Sequence, residues 1–235
     1  MIDLSLILPV HNEEEIIKQV LLDIIKYLKS LKISYEIILV ENGSTDNSLQ
    51  VIKKLSKTLP NINYNIVPKG YGSAVIKGLE NAKGNYVCYM PSDGQIDMNV
   101  FNMLWSDTKK ERYDLVKVKR IQRESFLREL TTKSFSLIIM VLFNTWFIDI
   151  NGSPRIFKRK HLNKLNLQSK DSFIDAEFLV KISRLKWKIK EIPMKNLDRV
   201  GGSSTRSINT YIEFLRNIYK FKTSNFFEKW LKEIN

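Results

Sequence analysis

Apolar runs alternate with stretches of helical periodicity along the first half of the chain. Leu4–Val10, Tyr35–Val40, Tyr64–Val67 and Tyr86–Met90 are short, rich in β-branched or aromatic residues, and closed by Pro, Gly, Asn or Asp, which predicts strands. The near-continuous apolar run of the first suits a central strand covered on both faces. Between the first two, Ile17, Val20, Leu21, Ile24 and Leu28 recur at helical spacing. Glu13, Glu14 and Glu15 stand where this helix opens, complementing its positive dipole end. The Glu41–Ser48 turn leads into a helix reaching about Leu55, and Lys69–Ala74 into one ending near Gly84. The order β-α-β-α-β-α-β at crossover spacing predicts an α/β fold with a right-handed, doubly wound, mostly parallel sheet flanked by helices.

The second half continues with a helix over Met98–Lys110, a strand over Tyr113–Val118, and a helical pattern from Ile121 to Trp146. The latter contains the most apolar run, Phe135–Phe143, too short to span a bilayer, which takes about 20 apolar residues. It is either a core helix or one lying in a membrane interface. A short strand at Arg155–Phe157 and a helix over Phe173–Leu185 follow. Lys188–Pro193 is a last strand, which Pro193 assigns to a sheet edge. After a loop at Arg199–Ser204, Ile208–Phe221 is an amphipathic helix with Tyr211, Ile212, Leu215 and Ile218 on one side. A final short helix carries Phe226, Phe227, Trp230 and Leu231. No linker or internal repeat divides the chain, so residues 1–206 are expected to form one domain and residues 207–235 a helical C-terminal extension.

Apolar content of 43% is ample for a core. The net charge of +13 changes the picture because of where it lies. Residues 1–104 hold 10 basic and 11 acidic side chains, whereas residues 105–235 hold 28 and 14. The basic half calls for an anionic partner or is simply a lysine-rich surface. No RNA- or DNA-binding signature accompanies it, and its aromatics follow helix faces, so nucleic acid is not expected. The single cysteine, Cys88, excludes an intramolecular disulfide and sits in an apolar strand as a structural thiol. An acidic residue and a strand open the chain without the pattern of a cleavable signal, so a cytoplasmic location is expected.

The candidate chemistry lies in Met90-Pro91-Ser92-Asp93-Gly94-Gln95. Asp93 and Gln95 come just after the carboxyl end of a strand, the ligand edge of open α/β sheets. A carboxylate and an amide two residues apart suit a hard divalent cation. The same residues also suit an ordinary Asx turn.

Six segments in order carry a resemblance. They are Pro9-Val10-His11-Asn12-Glu13, Val40-Glu41-Asn42-Gly43-Ser44-Thr45-Asp46, Gly70-Tyr71-Gly72-Ser73-Ala74 and Met90–Gln95, then Asp149–Phe157 and Arg199-Val200-Gly201-Gly202-Ser203-Ser204. Over about residues 3–206 the chain resembles the family 2 glycosyltransferases of GT-A (Rossmann-like) fold, and within them the dolichyl- and polyprenyl-phosphate sugar synthases. The resemblance implies a nucleotide-sugar donor, with Pro9, Val10, Glu13 and Glu41 lining the nucleoside pocket and Gly70, Gly72 and Ser92 beside the donor. His11 and Glu41 replace the family's usual tyrosine and aspartate. The family's Asp-x-Asp is reduced, since Pro91 stands at its first aspartate. Asp93 and Gln95 then hold Mg²⁺ or Mn²⁺ together with the donor diphosphate. Arg199, with Ser203 and Ser204, is expected over the leaving diphosphate.

Transfer by inversion at the anomeric carbon requires charge neutralisation on the leaving nucleotide, assigned to Asp93 through the metal and to Arg199. A sugar-hydroxyl acceptor needs a base; a lipid phosphate is already anionic and needs cations. The resemblance places Arg120, with Arg123 and Arg128, at the lipid phosphate, and Asp175 and Glu177 at the acceptor side. Those acids serve as a base, if the acceptor is a hydroxyl, or as structural residues. The expected enzyme acts at a membrane surface on polyprenyl or dolichyl phosphate, bound peripherally or through a separate membrane-anchoring protein. The alternatives are transfer to a saccharide hydroxyl in surface-glycan synthesis and a scaffold with a decayed site.

Overall fold

The structure, a computed structural model, describes residues 1–122, 126–147, 149–195, 197 and 208–234, without the side chains of residues 122, 126–133 and 208–211. The elements run β1 (Leu4–Val10), α1 (Ile17–Ser30), β2 (Tyr35–Asn42), α2 (Ser48–Thr58), β3 (Ile62–Val67), α3 (Tyr71–Asn81), β4 (Tyr86–Tyr89) and α4 (Met98–Lys109). They continue β5 (Leu115–Gln122), α5 (Phe126–Phe143), β6 (Arg155–Lys158), a 3-10 turn (Arg159–His161), α6 (Leu162–Leu165), α7 (Ile174–Arg184), β7 (Ile189–Lys195), α8 (Ile208–Lys222) and α9 (Asn225–Ile234).

The seven strands form one sheet in the order β3-β2-β1-β4-β6-β5-β7. β1 pairs in parallel with β2 on one side and β4 on the other. The chain therefore winds outward to β3 and crosses back to β4, and the β1–β4 seam is a topological switch point. β7 lies at the sheet edge, as its proline requires. The departure from the parallel expectation is β6, which runs antiparallel to both β4 and β5.

Side-chain alternation divides the core. Leu4, Leu6, Leu8 and Val10 of β1, with Tyr86 and Cys88 of β4, pack under α1, α2 and α4. Ile7, Val87 and Tyr89 face α3, α5, α7, α8 and α9. Both faces are covered, so these strands read as continuous apolar runs. Cys88 is fully buried, and burial pushes its thiol up, in keeping with a structural role. The apolar run of α5 buries Ser136, Ile139 and Phe143 and exposes Leu137 and Val141, so one face joins the core.

Three local expectations are corrected. The fifth strand starts later and runs further than Tyr113–Val118, and α5 begins only at Phe126. Glu13–Glu15 form a turn before α1, whose first turn holds no acidic residue. In α8 the packed face is only partly the one expected, Ile218 alone of the expected residues with described side chains being buried. Phe214, Ile218 and Phe221 meet the core, through ring contacts of Phe214 with Phe135 and Phe173 and of Phe221 with Phe143 and Phe227, while Ile212 and Leu215 face outward. Both sides of this helix carry apolar residues, and aromatic area decides which side is buried.

The close approach of α3 to the sheet depends on Gly78, where a Cβ would lie 2.2 Å from Ile7 Cγ2. Alanine gains about 1 kcal/mol of helix preference over glycine, but overpacking a core contact costs about 1–3 kcal/mol. Gly78→Ala is therefore expected to lower the melting temperature and Gly78→Val to lower it further, as followed by circular dichroism. An unchanged or raised midpoint for alanine would show that this contact yields freely.

Candidate active site

The carboxyl ends of β1, β2 and β4 meet at the switch point, and hydrogen bonds tie the loops that follow them. Asn42 Nδ2 donates to Val10 O at 2.9 Å, and His11 Nδ1 lies 3.1 Å from Asn42 O. Asn12, at φ 55°, donates its N–H to Ser44 Oγ at 3.1 Å and accepts the Thr45 N–H at 2.8 Å. The Glu13 N–H reaches Ser48 Oγ at 2.8 Å. The Glu14 N–H reaches Asp46 Oδ2 at 3.1 Å, and the Glu14 carboxylate accepts the Asn47 N–H at 2.9 Å. These reciprocal bonds give the two loops one fixed geometry. Glu41, buried, accepts the Ser44 N–H and so closes its own turn.

The third loop joins through Ser92, whose Oγ donates to Pro9 O at 2.8 Å. Asp93 is nearly buried just past β4, and its Oδ1 accepts the Gln95 N–H at 3.1 Å. The Asx turn is therefore present, with its carboxylate at the ligand edge. Gln95 and Leu197 pair: Leu197 N donates to Gln95 O at 3.0 Å, and Gln95 Nε2 to Leu197 O at 3.3 Å. Pro9, Val10, Glu13, Glu41, Ser92, Asp93 and Gln95 thus share one sheet edge. Gly70 and Gly72 have a packing reason of their own. A Cβ would lie 2.5 Å from Lys170 O at Gly70 and 2.1 Å from Ser169 O at Gly72.

Behind the Asp93 turn lies a layer of buried charge. Arg155 has no exposed surface. Its guanidinium pairs with Asp175 at 2.8 Å and donates to Tyr89 Oη, to Gly152 O at 2.9 Å and to Ile150 O. Burial works against its charge, and Asp175 with Tyr89 more than offsets it, so its pKa is raised. Arg120 grips Asp149 through Nη2 to Oδ1 at 2.6 Å and Nε to Oδ2 at 3.1 Å, and adds its backbone N–H at 2.8 Å. Burial pushes the Asp149 carboxyl up, but the hydrogen bonds and charge of Arg120 hold it well below the ordinary range. Lys117 is fully buried between Asp149 O at 2.9 Å and Glu191 Oε1 at 2.8 Å. Its pKa is lowered by burial, against the pull of Glu191.

The two acids expected at the acceptor side also have structural partners. Asp175 is held by Arg155 and lies 3.3 Å from Tyr89 Oη. Glu177, fully buried, pairs with Lys181 at 2.6 Å. Of the other expected residues, Arg123, Arg199, Ser203 and Ser204 lie outside the described residues, and so does the side chain of Arg128. Sequence reasoning assigned no role to Lys117, Asp149, Arg155 or Lys181. The available signal was a basic residue inside a strand otherwise read as core, at 117 and 155, which demands an acidic partner.

For a divalent cation, the described residues offer no cluster of three or more His, Cys, Asp or Glu side chains. The donor set at the edge is Asp93 with the Gln95 amide. That set fits a Mg²⁺-like ion completed by phosphate oxygens and water, since such ions commonly take one or two carboxylates.

An open sheet with its ligand edge at the β1–β4 switch point, seven strands and one antiparallel insertion, is the GT-A fold. Glucosyl-3-phosphoglycerate synthase from Mycobacterium tuberculosis, solved with Mn²⁺, UDP and phosphoglyceric acid, superposes with a TM-score of 0.65 at 17% identity, over 92% of this chain and 76% of that one. S. aureus TarS superposes at 0.59 with 18% identity, over 83% of this chain and 59% of that one. Residues 5–171 match the glycosyl transferase family 2 model, and the chain belongs to that family of sugar-transferring enzymes. Among curated relatives it is 25% identical to a dolichyl-phosphate β-glucosyltransferase of Dictyostelium discoideum, over 93% of this chain and 73% of the relative. It is 30% identical to an undecaprenyl-phosphate 4-deoxy-4-formamido-L-arabinose transferase of Proteus mirabilis, over 72% of this chain. The match spans only 53% of that relative's length.

The Asp149–Arg120 pair yields a pH-dependent prediction. A carboxyl depressed in the folded state contributes stability that is complete above its ordinary pKa of about 4 and is lost as pH falls below that. Asp149→Asn leaves Arg120 without its buried partner and is expected to cost about 3 kcal/mol at neutral pH. The difference from the native chain should narrow on acidification below about pH 4. Denaturant unfolding across that range checks both parts, and a pH-independent gap would contradict the assignment.

Proposed function

We propose that this enzyme transfers a sugar, with inversion, from a UDP- or GDP-sugar to a polyprenyl or dolichyl phosphate at a membrane surface. The observation that carries the reading is the commitment of both acceptor-side acids, Asp175 to Arg155 and Glu177 to Lys181. A hydroxyl acceptor requires a positioned base. A carboxylate held by a buried guanidinium is a poor one, because taking a proton would strand the cation. A phosphate acceptor arrives ionised and asks only for cations. Arg120, oriented by Asp149, is the described candidate, with Arg123 and Arg128 assigned beside it. The two relatives, a dolichyl-phosphate and an undecaprenyl-phosphate transferase by name, favour the same acceptor class.

On the donor side, Pro9, Val10, Glu13 and Glu41 are assigned to the nucleoside, and Gly70, Gly72 and Ser92 to the rest of the donor. Asp93 and Gln95 would hold Mg²⁺ or Mn²⁺, which supplies charge stabilisation to the departing nucleotide diphosphate. Arg199, Ser203 and Ser204 are assigned to the same phosphates. Residues 1–206 then form the catalytic part, and residues 207–235 support it from α8 and α9.

Among the described residues no helix is long and apolar enough to cross a membrane. The outward sides of α5 and α8 nevertheless carry exposed apolar residues, with Val141 at 74%, Trp146 just after α5 at 83% and Tyr219 at 71%. Such residues with a basic surface favour peripheral binding to anionic lipid.

The deciding experiment offers UDP- and GDP-sugars with polyprenyl phosphate, with a saccharide acceptor and with neither, and reads product partition and anomeric form. A lipid-linked, inverted product made only with the phosphate is expected; transfer to the saccharide alone would overturn the acceptor. Asp93→Ala is expected to reduce transfer by at least about a hundredfold with an unchanged melting curve. Retained turnover with undiminished metal dependence would sink the role of Asp93. In flotation, the chain should rise with anionic but not neutral vesicles, and Val141→Asp with Trp146→Asp should abolish this.

A further inference from the structure

Glu177 and Lys181 form a buried ion pair whose remaining hydrogen bonds all go to one irregular stretch of chain, Asn166–Asp171. Glu177 Oε1 accepts the Gln168 N–H at 3.0 Å, and Oε2 accepts the Ser169 N–H at 2.7 Å. Lys181 Nζ donates to Asn166 O at 2.7 Å and lies under the rings of Phe226 and Trp230, at 4.6 and 5.2 Å from their centroids. At the far end Asn217 Nδ2, on α8, donates to Asp171 Oδ2 at 2.9 Å. The opposite side of the same stretch meets the start of α3. Lys170 O accepts the Ser73 N–H at 3.0 Å, and the carbonyls of Ser169, Lys170 and Asp171 leave no room for a side chain at Gly70 or Gly72.

An apolar pair of similar volume in place of a buried ion pair is often neutral or stabilising. Here it would take away the acceptor of the part-buried N–H groups of Gln168 and Ser169 and the donor to the carbonyl of Asn166. What the charged pair supplies is therefore the position of the stretch and, through Lys170 O, which accepts the Ser73 N–H, the position of the first turn of α3. We propose that Glu177 and Lys181 are positioning residues for the donor, acting through residues 166–171 on the Gly70–Ser73 turn, with Asn217 as an outer support. This rests on the donor reading of Gly70 and Gly72. It gives Glu177 a place in the site other than that of an acceptor base.

The test uses the full chain with Glu177→Gln, Lys181→Met and Asn217→Ala, the last a part-buried change that tests the brace even where the first two fail to fold. Amide hydrogen exchange across Gly72–Ala74 reads the brace directly, and calorimetric titration with UDP and GDP in the presence of Mn²⁺ reads the donor side. Loss of a hydrogen bond to a charged group predicts exchange at Ser73 faster by about tenfold in Glu177→Gln. Nucleotide Kd and donor KM are expected to rise about tenfold, while acceptor KM and kcat stay within about twofold. Asn217→Ala should move the same quantities in the same direction by less. Unchanged exchange at Ser73, or an equal loss in donor and acceptor parameters, would overturn the proposal. A native chain that binds neither nucleotide would refute the donor reading of the turn and the positioning role with it. A chain that binds nucleotide but leaves polyprenyl phosphate unglycosylated would refute only the acceptor reading.

Discussion

A guanidinium without exposed surface persists only where its N–H groups find acceptors, and Arg155 meets that condition by drawing four pieces of chain to one point. Its own strand is the antiparallel β6. Tyr89 brings the end of β4, Asp175 brings the start of α7, and Ile150 and Gly152 bring the turn that precedes β6. The placement of β6 between β4 and β5 is what lets this happen. Because Tyr89 is the last residue of β4, the same interaction fixes the strand end from which the Asp93 turn projects. Sheet topology and site geometry are therefore one constraint.

The edge in front of that layer is built differently. There the loops are held by short reciprocal bonds among Asn12, Glu14, Asn42, Ser44 and Ser48, with backbone groups as most of the partners. Asn42 and Ser48 are buried with their hydrogen bonds made, the other groups keep contact with solvent, and together the bonds hold the loops in place. With Pro91 in place of a second carboxylate, the protein would bring little negative charge of its own to the cation position proposed at Asp93. Phosphate oxygens of a bound nucleotide would then dominate the charge there, and cation and donor would bind together more than separately.

Much of this edge was legible in the sequence, because strand ends and their turns are local events. The apolar runs of β1, β2 and β4 announce buried parallel strands, and the residues just after them fall at the ligand edge by topology alone. What was not legible depends on tertiary choice. The antiparallel direction of β6 is decided by pairing with two strands distant in sequence. The face buried by α8 was misjudged because Ile212 and Leu215 fit the helical period as well as Phe214 and Phe221 do, and only the rings of Phe135, Phe143 and Phe173 decide between them. The partners of Asp175 and Glu177 differ in the same respect. Lys181 is one helical turn from Glu177 and visible as a spacing, whereas Arg155 meets Asp175 only through the sheet.

The identities of those two cations follow from their surroundings. Burial lowers the pKa of Lys181 in spite of Glu177, whereas Arg155, equally without exposed surface, keeps its charge. Guanidinium is intrinsically far harder to deprotonate than ammonium and spreads its donors in a plane, so it can serve Asp175, Tyr89 and two carbonyls at once. A lysine at 155 would reach fewer partners and would be open to losing its proton, leaving Asp175 buried without a counter-charge. The permanence of the arginine charge thus keeps Asp175 paired, and in the proposed function that pairing is part of what suits the site to an acceptor already ionised.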